Sequence, residues 1–158
     1  MKILAPFVVC IGMLAGEAGV AGQEHRDLES IRSVPDLEKR SQFALEFARR
    51  SVDPMVKAYL EGDSERGESL LDQIQQAVEL SLESLKATGK VPRKKPKHFK
   101  RAEIETRNLL RDLDGARAEL GYDQREYLDS VHDRVSAINS ELLLGIMTKP
   151  EKKETKKE

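Results

Sequence analysis

The chain has almost no cysteine: Cys10 is the single one among its 158 residues. It lies in an apolar run that we expect to be removed with a signal peptide. The rest of the chain has no thiol, which excludes disulfide bonds, thiol catalysis, cysteine-ligated metal and covalent haem attachment. Exported proteins without cysteine are more typical of the bacterial periplasm than of animal secretions. We therefore expect a periplasmic or secreted bacterial protein.

Aromatic residues are scarce too, with four Phe, three Tyr and no Trp. A core made from this chain must be mainly aliphatic, which suits close packing between helices. Phe99 is the one ring within the most basic stretch, so the bases of a nucleic acid would find little to stack on. The net charge of −1 points the same way. The sequence thus argues against a nucleic-acid partner.

Sequence motifs of the common catalytic sites are missing as well. The chain has no glycine-rich phosphate-binding loop and no HExxH pair. Its histidines are His25, His98 and His132, and none stands in a local pattern with a nucleophile and a carboxylate. We therefore predict a protein that is not an enzyme and has no cofactor.

What is present begins with an export signal. Lys2 precedes an apolar run from Ile3 to Leu14, and small residues follow up to Ala21, which is the layout of a secretory signal peptide. A membrane-spanning helix needs about 20 apolar residues, so this run is too short to be an anchor. We predict that residues 1–21 are cleaved and that the mature chain has no transmembrane segment.

The last ten residues, 149–158, carry five Lys and three Glu and no hydrophobic residue. Such a segment cannot bury enough surface to offset the entropy that is lost on ordering. We predict a disordered tail over 149–158 and one folded helical domain over 22–148. A domain of that length can be stable without disulfide bonds.

Apolar residues recur at the helical period of 3.6 in four segments, which predicts an all-α fold. The first two helices should start near Ser33, as an N-cap, and at Asp63 or Ser64. A proline should interrupt the first helix, with Asp53 as a new cap, and Gly89 should end the second. Their apolar stripes are Leu37, Ala44, Phe47, Ala48, Val52, Met55 and Tyr59, then Leu71, Ile74, Val78, Leu82 and Leu85.

The third predicted helix follows Pro96, and its stripe alternates steps of three and four residues, as in a coiled coil. The fourth should begin at Asp123 with a capping box that Glu126 completes. The third stripe is Phe99, Ala102, Thr106, Leu109, Leu113, Ala116 and Leu120, with Thr106 as its polar member. The fourth is Leu128, Val131, Val135, Ile138 and Leu142, broadened by Leu143, Leu144, Ile146 and Met147.

Two short turns join these helices in pairs. Gly62–Asp63 connects the first helix to the second, and Gly121–Tyr122 connects the third to the fourth. Each turn is typical of an antiparallel helical hairpin. Since no helix can bury its stripe alone, we predict two hairpins packed as an up-down four-helix bundle.

Residues 58–80 also resemble part of a tetratricopeptide repeat. The resemblance lies in Tyr59, in the Gly62–Asp63 turn and in the small residue Gly67, and it implies a stack of paired helices. The second half of the segment departs from the pattern at Ala77, and no second copy follows. Because such an array needs about three repeats, the bundle is the fold that we expect.

The most basic stretch lies between the second and third predicted helices, and we call residues 89–101 the basic segment. Its cations are Lys90, Arg93, Lys94, Lys95, Lys97, Lys100 and Arg101, with no acidic residue among them. Two prolines keep the stretch extended and its charges displayed. Residues 22–158 carry 26 basic and 27 acidic side chains. Setting aside these seven cations and the tail's excess of two leaves about ten negative charges elsewhere.

Three interpretations of the basic segment stay open. It is a solvated loop on the acidic flank of its own bundle, or it associates with an acidic protein or a second copy of the chain. The third interpretation is that it binds an anionic surface, which could be lipid phosphates, lipopolysaccharide or an acidic polymer. We predict an exported, non-enzymatic interaction module whose basic segment binds an anionic partner in the envelope. The alternative is a haem- or metal-binding bundle that uses His132 with Met55 or Asp129.

Overall fold

The structure is a computed structural model that describes residues 27–148. The predicted signal peptide, residues 1–21, and the predicted tail, residues 149–158, lie outside this part of the chain. Within it every regular element is an α-helix, which confirms the all-α prediction. The helices are α1 (Leu28–Arg32), α2 (Leu37–Arg50), α3 (Val52–Leu60), α4 (Ser64–Ala87), α5 (Lys97–Glu119) and α6 (Tyr122–Met147).

The N-cap of α2 is Asp36 rather than the predicted Ser33. The Asp36 carboxylate accepts hydrogen bonds from the amides of Glu38 at 3.0 Å and Lys39 at 3.1 Å. These bonds, above all the one from Lys39, hold the pKa of Asp36 below its ordinary value, because they favour the ionised form. Ser33 instead ends α1, a helix of five residues that the sequence did not predict.

The interruption near Pro54 lies earlier than predicted. α3 begins at Val52 with Ser51 before it, so Asp53 lies inside the first turn and is not the cap. The Ser51 hydroxyl donates to the Phe47 carbonyl oxygen at 2.8 Å, on the side of α2. Pro54 is tolerated because an amide in the first turn of a helix has no intrahelical partner to lose.

The turn residues around α4 behave as predicted. The Asp63 carboxylate caps the helix by accepting a hydrogen bond from the Arg66 amide at 3.1 Å. Gly62 and Gly89, which flank α4, have φ values of 82° and 64°. Both lie in the left-handed region that favours glycine, and this conformation lets the chain leave a helix sharply.

The predicted capping box of Asp123 and Glu126 is wrong. α6 begins at Tyr122, and Gly121 is its N-cap. The Gly121 amide donates to Gln124 Oε1 at 3.2 Å, and the Gln124 amide donates to the Gly121 carbonyl oxygen at 3.1 Å. A glutamine at the third helical position can therefore reach back to the cap as a glutamate would, and the helix starts earlier.

The helices share one core in which the predicted stripes are buried. α2 and α3 pack along α4, α5 packs along α6, and further contacts join α4 to α6 and α2 to α5. Every predicted position from Leu71 to Leu85, from Phe99 to Leu120 and from Leu128 to Leu142 is buried. Leu37 at the start of α2 is half-buried. No helix between residues 28 and 147 has the length and apolarity to cross a membrane.

The predicted broadening of the α6 stripe is wrong for three of its four residues, and only Ile146 packs against the core. Leu143, Leu144 and Met147 are exposed and Ile146 is half-buried. α6 has 26 residues and α5 has 23, so the last turn of α6 reaches past its partner helix. Gly145 in that turn lies against Pro92 of the connection between α4 and α5, while Ile146 packs against the core.

Candidate anion-binding site

The basic segment joins α4 to α5 at the end of the molecule where α6 stops. Gly89 leaves α4, and a turn follows in which the amides of Lys94 and Lys95 both donate to the Val91 carbonyl oxygen at 3.0 Å. α5 then begins directly after Pro96. The polar backbone groups are thus used within the turn, and the charged side chains of the segment are exposed.

Two of the seven cations are paired within the molecule. The Lys90 ammonium group forms an ion pair with the Glu38 carboxylate, and Arg101 Nη2 lies 3.8 Å from Glu46 Oε1. Both acidic residues belong to α2, so the two edges of the segment lie along the acidic flank of that helix. For these two cations, the contacts agree with the interpretation of the basic segment as a loop on the acidic flank of its own bundle.

Glu38 is the residue that attaches the segment to α2. His98 Nε2 lies 3.1 Å from Glu38 Oε2, while Lys90 occupies Oε1. The hydrogen bond from Lys90 lowers the pKa of Glu38 below its ordinary value of 4.5, although desolvation opposes this shift. Glu38 also lies in the first turn of α2, where the helix dipole favours a negative charge.

The remaining five cations have no ion pair with any residue between 27 and 148. We call them the open cations: Arg93, Lys94, Lys95, Lys97 and Lys100, all of them exposed. Lys97 and Lys100 belong to the first turn of α5, which contains no acidic residue. Because the free amides at a helix N-terminus carry partial positive charge, the open cations and this helix end both contribute to a positive potential here.

An apolar groove opens beside the open cations, with a volume of about 460 Å³. Its apolar lining is made by Leu82, Pro92, Phe99, Leu142, Leu144 and Gly145. Gly145 permits the basic segment to approach α6 closely, since a Cβ atom there would lie 3.3 Å from Pro92 Cγ. The basic segment therefore borders the groove through Pro92, and the open cation Arg93 follows Pro92 in the chain.

Leu144 lines this groove, and two further exposed apolar residues, Val91 and Met147, are the chain neighbours of the lining residues Pro92 and Thr148. Val91 is 44%, Leu144 is 62% and Met147 is 70% exposed. The apolar pattern of the sequence predicted Leu144 and Met147 as part of the α6 stripe and gave no indication of Val91. A signal was present in the sequence, because Leu143 and Leu144 follow Leu142 directly and consecutive residues cannot all lie on one face of a helix.

The residues of the haem or metal alternative are engaged in other contacts. Met55 is fully buried in the core. His132 Nε2 lies 3.3 Å from Asp114 Oδ1, and Asp129 Oδ1 pairs with Arg117 Nε at 2.7 Å. Both contacts join α6 to α5. Among residues 27–148, no three His, Cys, Asp or Glu side chains are grouped so that they could hold a metal ion.

A wider cleft of about 770 Å³ lies between α3 and α5, but its charges are mixed in sign. Arg49 on its wall donates from Nε to Asp112 Oδ2 at 3.0 Å and from Nη1 to Glu105 Oε2 at 3.2 Å. The bond to Asp112 is the main reason why the pKa of Arg49 is raised. Cations that are already paired offer little attraction to an anion.

Comparison with known proteins adds no further information on function. No protein-family model, no curated protein and no solved structure matches the chain. The tetratricopeptide resemblance of residues 58–80 therefore has no family match to support it.

Proposed function

We propose that the protein is an exported helical module that acts by binding an anionic partner in the bacterial envelope and not by catalysis. The binding site is the basic segment, centred on the open cations. The observation that carries this proposal is that residues 27–148 supply ion-pair partners for only two of the seven cations. The other five remain available to a partner from outside.

The small number of paired cations supports this proposal over the interpretation of the basic segment as a solvated loop. The rest of the chain has an excess of about ten negative charges, so acidic partners are abundant on the molecule itself. In the described part of the chain, only Lys90 and Arg101 form ion pairs with them. Lys97 and Lys100 lie at the N-terminus of α5, where a cation costs about 0.3–1 kcal/mol against the helix dipole. Such an arrangement is disfavoured unless the charge meets an external anion.

We also propose that the fold is an up-down four-helix bundle of two hairpins. α2 and α3 act as one interrupted rod that packs along α4, and α5 packs along α6. Connections of a few residues join the members of each pair, which is typical of antiparallel helices. The contacts of α4 with α6 and of α2 with α5 then bring the two hairpins together.

The test is a charge reversal with a matched control. The variant Lys94→Glu, Lys95→Glu, Lys97→Glu alters three open cations. The control variant Lys57→Glu, Arg66→Glu, Arg111→Glu makes the same change in net charge on α3, α4 and α5, away from the basic segment. Retention of each protein on heparin and on vesicles that contain phosphatidylglycerol is measured against ionic strength, with helicity followed by circular dichroism.

We expect the wild type to be retained in low salt and released as salt screens the charges. The Lys94, Lys95, Lys97 variant should lose retention with its helicity intact, and the control variant should keep at least part of it. Equal retention of the two variants, or no retention of the wild type on either matrix, would contradict the proposal.

Export makes a separate prediction about the N-terminus. Protein recovered from the periplasm or medium of a bacterial host should begin at Gly22 or Gln23, because small residues precede both bonds. Intact mass spectrometry measures this directly. A recovered chain that still contains residues 1–21 would contradict the cleavage.

A further inference from the structure

We infer that the anionic partner is the surface of a phospholipid bilayer, and that the basic segment and the last turn of α6 dock on it together. The open cations contact the headgroup phosphates. Val91, Leu144 and Met147 enter the interface between headgroups and acyl chains. This inference rests on the proposed function and adds an apolar component to it.

The geometry brings the two kinds of side chain to one place. Pro92 contacts the backbone of Gly145, as the close approach at this position shows. Val91 precedes Pro92 and Arg93 follows it, so an apolar residue and an open cation flank the contact point. On α6, Leu144 precedes Gly145, and Met147 lies less than one turn further on. Cations and protruding apolar side chains therefore occupy the same end of the molecule.

This combination meets the requirement for binding at a membrane surface. Clusters of Lys and Arg are attracted to anionic lipids within about a Debye length of the bilayer, and apolar side chains add affinity by leaving water for the interface. Neither contribution is strong alone when few residues supply it. The open cations provide the first and Val91, Leu144 and Met147 provide the second.

The character of the side chains favours a fluid lipid surface over an acidic protein. Four of the five open cations are Lys, which act as flexible point charges and suit mobile phosphates. A fixed protein partner would be matched better by Arg, whose planar group pairs with carboxylates in two-point contacts. A stable protein interface also buries about 800 Å² on each partner, and three protruding apolar residues form a smaller patch.

The first arm of the test changes the apolar residues and keeps every charge. The variant Leu144→Ser, Met147→Ser is compared with Leu60→Ser, whose parent residue is equally exposed, at 63%, but lies at the end of α3. Binding is measured by co-sedimentation with phosphatidylcholine vesicles, with and without phosphatidylglycerol, and by retention on heparin. Heparin presents anionic groups without hydrocarbon, so it isolates the electrostatic part.

The second arm uses the absence of tryptophan from the chain. Met147→Trp places a single reporter at the proposed insertion site, and Leu60→Trp places one at a matched exposed site. On vesicles with phosphatidylglycerol we expect a blue shift of the Met147→Trp emission and protection from an aqueous quencher. The Leu60→Trp emission should stay unchanged.

We expect the Leu144→Ser, Met147→Ser variant to lose about tenfold or more in vesicle affinity while its retention on heparin matches the wild type. Unchanged vesicle affinity together with an unshifted Met147→Trp emission would overturn the membrane inference and leave the proposed anion binding intact. Retention on heparin with no vesicle binding at all would do the same and would favour an acidic polymer or protein. Failure to bind either matrix would overturn both proposals.

Discussion

The ring of Tyr59 lies against the backbone of Gly67, so closely that a Cβ atom at Gly67 would lie 2.7 Å from the ring carbon Cε2. Tyr59 is in the last turn of α3 and Gly67 is near the start of α4. The contact therefore closes the hairpin at Gly62. It also gives a physical reason for the three repeat-like positions, since a ring before a tight turn and a missing side chain after it let two antiparallel helices approach closely.

Gly67→Ala should destabilise the protein, because Tyr59 is only 3% exposed and its ring has little room to move. Overpacking of this kind costs about 1–3 kcal/mol. The matched control is Gly115→Ala in α5, where an added Cβ would meet nothing within 4 Å. That change should stabilise the helix by about 1 kcal/mol, as alanine does over glycine. Urea unfolding measures both, and a gain of stability in both variants would contradict the contact.

The hydrophobic stripes of the fold could be predicted from the sequence because burial follows the helical period. Helix starts were less predictable, since neighbouring polar residues compete for the same free amides. At α2, Asp36 and not Ser33 is the N-cap, because the Asp36 carboxylate accepts hydrogen bonds from two amides. At α6, Gln124 bonds back to Gly121 and starts the helix before Asp123. These outcomes depend on local geometry that residue types alone do not fix.

The candidate site was predictable as a charged segment but not in its division into paired and open cations. Which cations find a partner depends on which acidic residues of α2 lie opposite them, and this depends on how α2 and α5 are rotated about their axes. The pairing of Lys90 with Glu38 is one such outcome. The exposure of Leu144 also depends on tertiary packing, because it is set by where α6 extends beyond the neighbouring helices.

Tyr59→Phe should raise stability and reduce its loss in alkaline solution. The Tyr59 hydroxyl is buried and has no hydrogen-bond partner among residues 27–148, and leaving such a group unpaired costs about 1–3 kcal/mol. Burial raises the pKa of Tyr59 to about 12, and the carboxylates of Glu68 and Asp72 and the neighbouring phenol of Tyr127 add to the shift. The unfolded chain therefore ionises first as the pH rises.

The contribution of Tyr59 ionisation to the free energy of unfolding is fully present below the ordinary pKa of 10 and is lost as the pH rises toward about 12. Tyr59→Phe should flatten that part of the curve of unfolding free energy against pH. The slope that remains is expected from Tyr127, whose pKa is raised mainly by its hydrogen bond to Asp72. Identical alkaline slopes for wild type and Tyr59→Phe would contradict the burial of this hydroxyl.

Glu38→Gln should lower stability at neutral pH and reduce its loss in acid. The folded-state pKa of Glu38 is lowered by Lys90. The contribution of Glu38 to the free energy of unfolding is therefore present above the ordinary pKa of 4.5 and is lost as the pH falls through the lowered pKa. The acid sensitivity that remains includes that of Asp36, whose pKa is also lowered. Glu126→Gln, at an exposed site of α6, is the control and should leave the urea midpoint nearly unchanged at every pH.

Lys90→Gln should affect stability and leave anion binding largely intact, whereas Lys95→Gln should do the reverse. Lys90 already has Glu38 as a partner, so its loss weakens the attachment of the basic segment. Lys95 has no ion pair between residues 27 and 148, so its loss removes charge only from the binding surface. The salt concentration of elution from heparin and the thermal midpoint are measured together. Equal loss of retention in both variants would show that the ion pair with Glu38 does not make Lys90 less important for anion binding than Lys95.

Thr106 and Asn139 should be coupled across the interface of α5 and α6. Asn139 Nδ2 donates to Thr106 Oγ1 and to the Glu103 carbonyl oxygen, both at 2.8 Å, and Thr106 is fully buried. Thr106→Val should cost about 1 kcal/mol, because it leaves the amide with fewer acceptors. In the Asn139→Ala background the same change should be neutral or stabilising, since no donor then loses its partner. A double-mutant cycle by urea unfolding measures the difference, and additive effects would show that the polar member of the α5 stripe does not depend on Asn139.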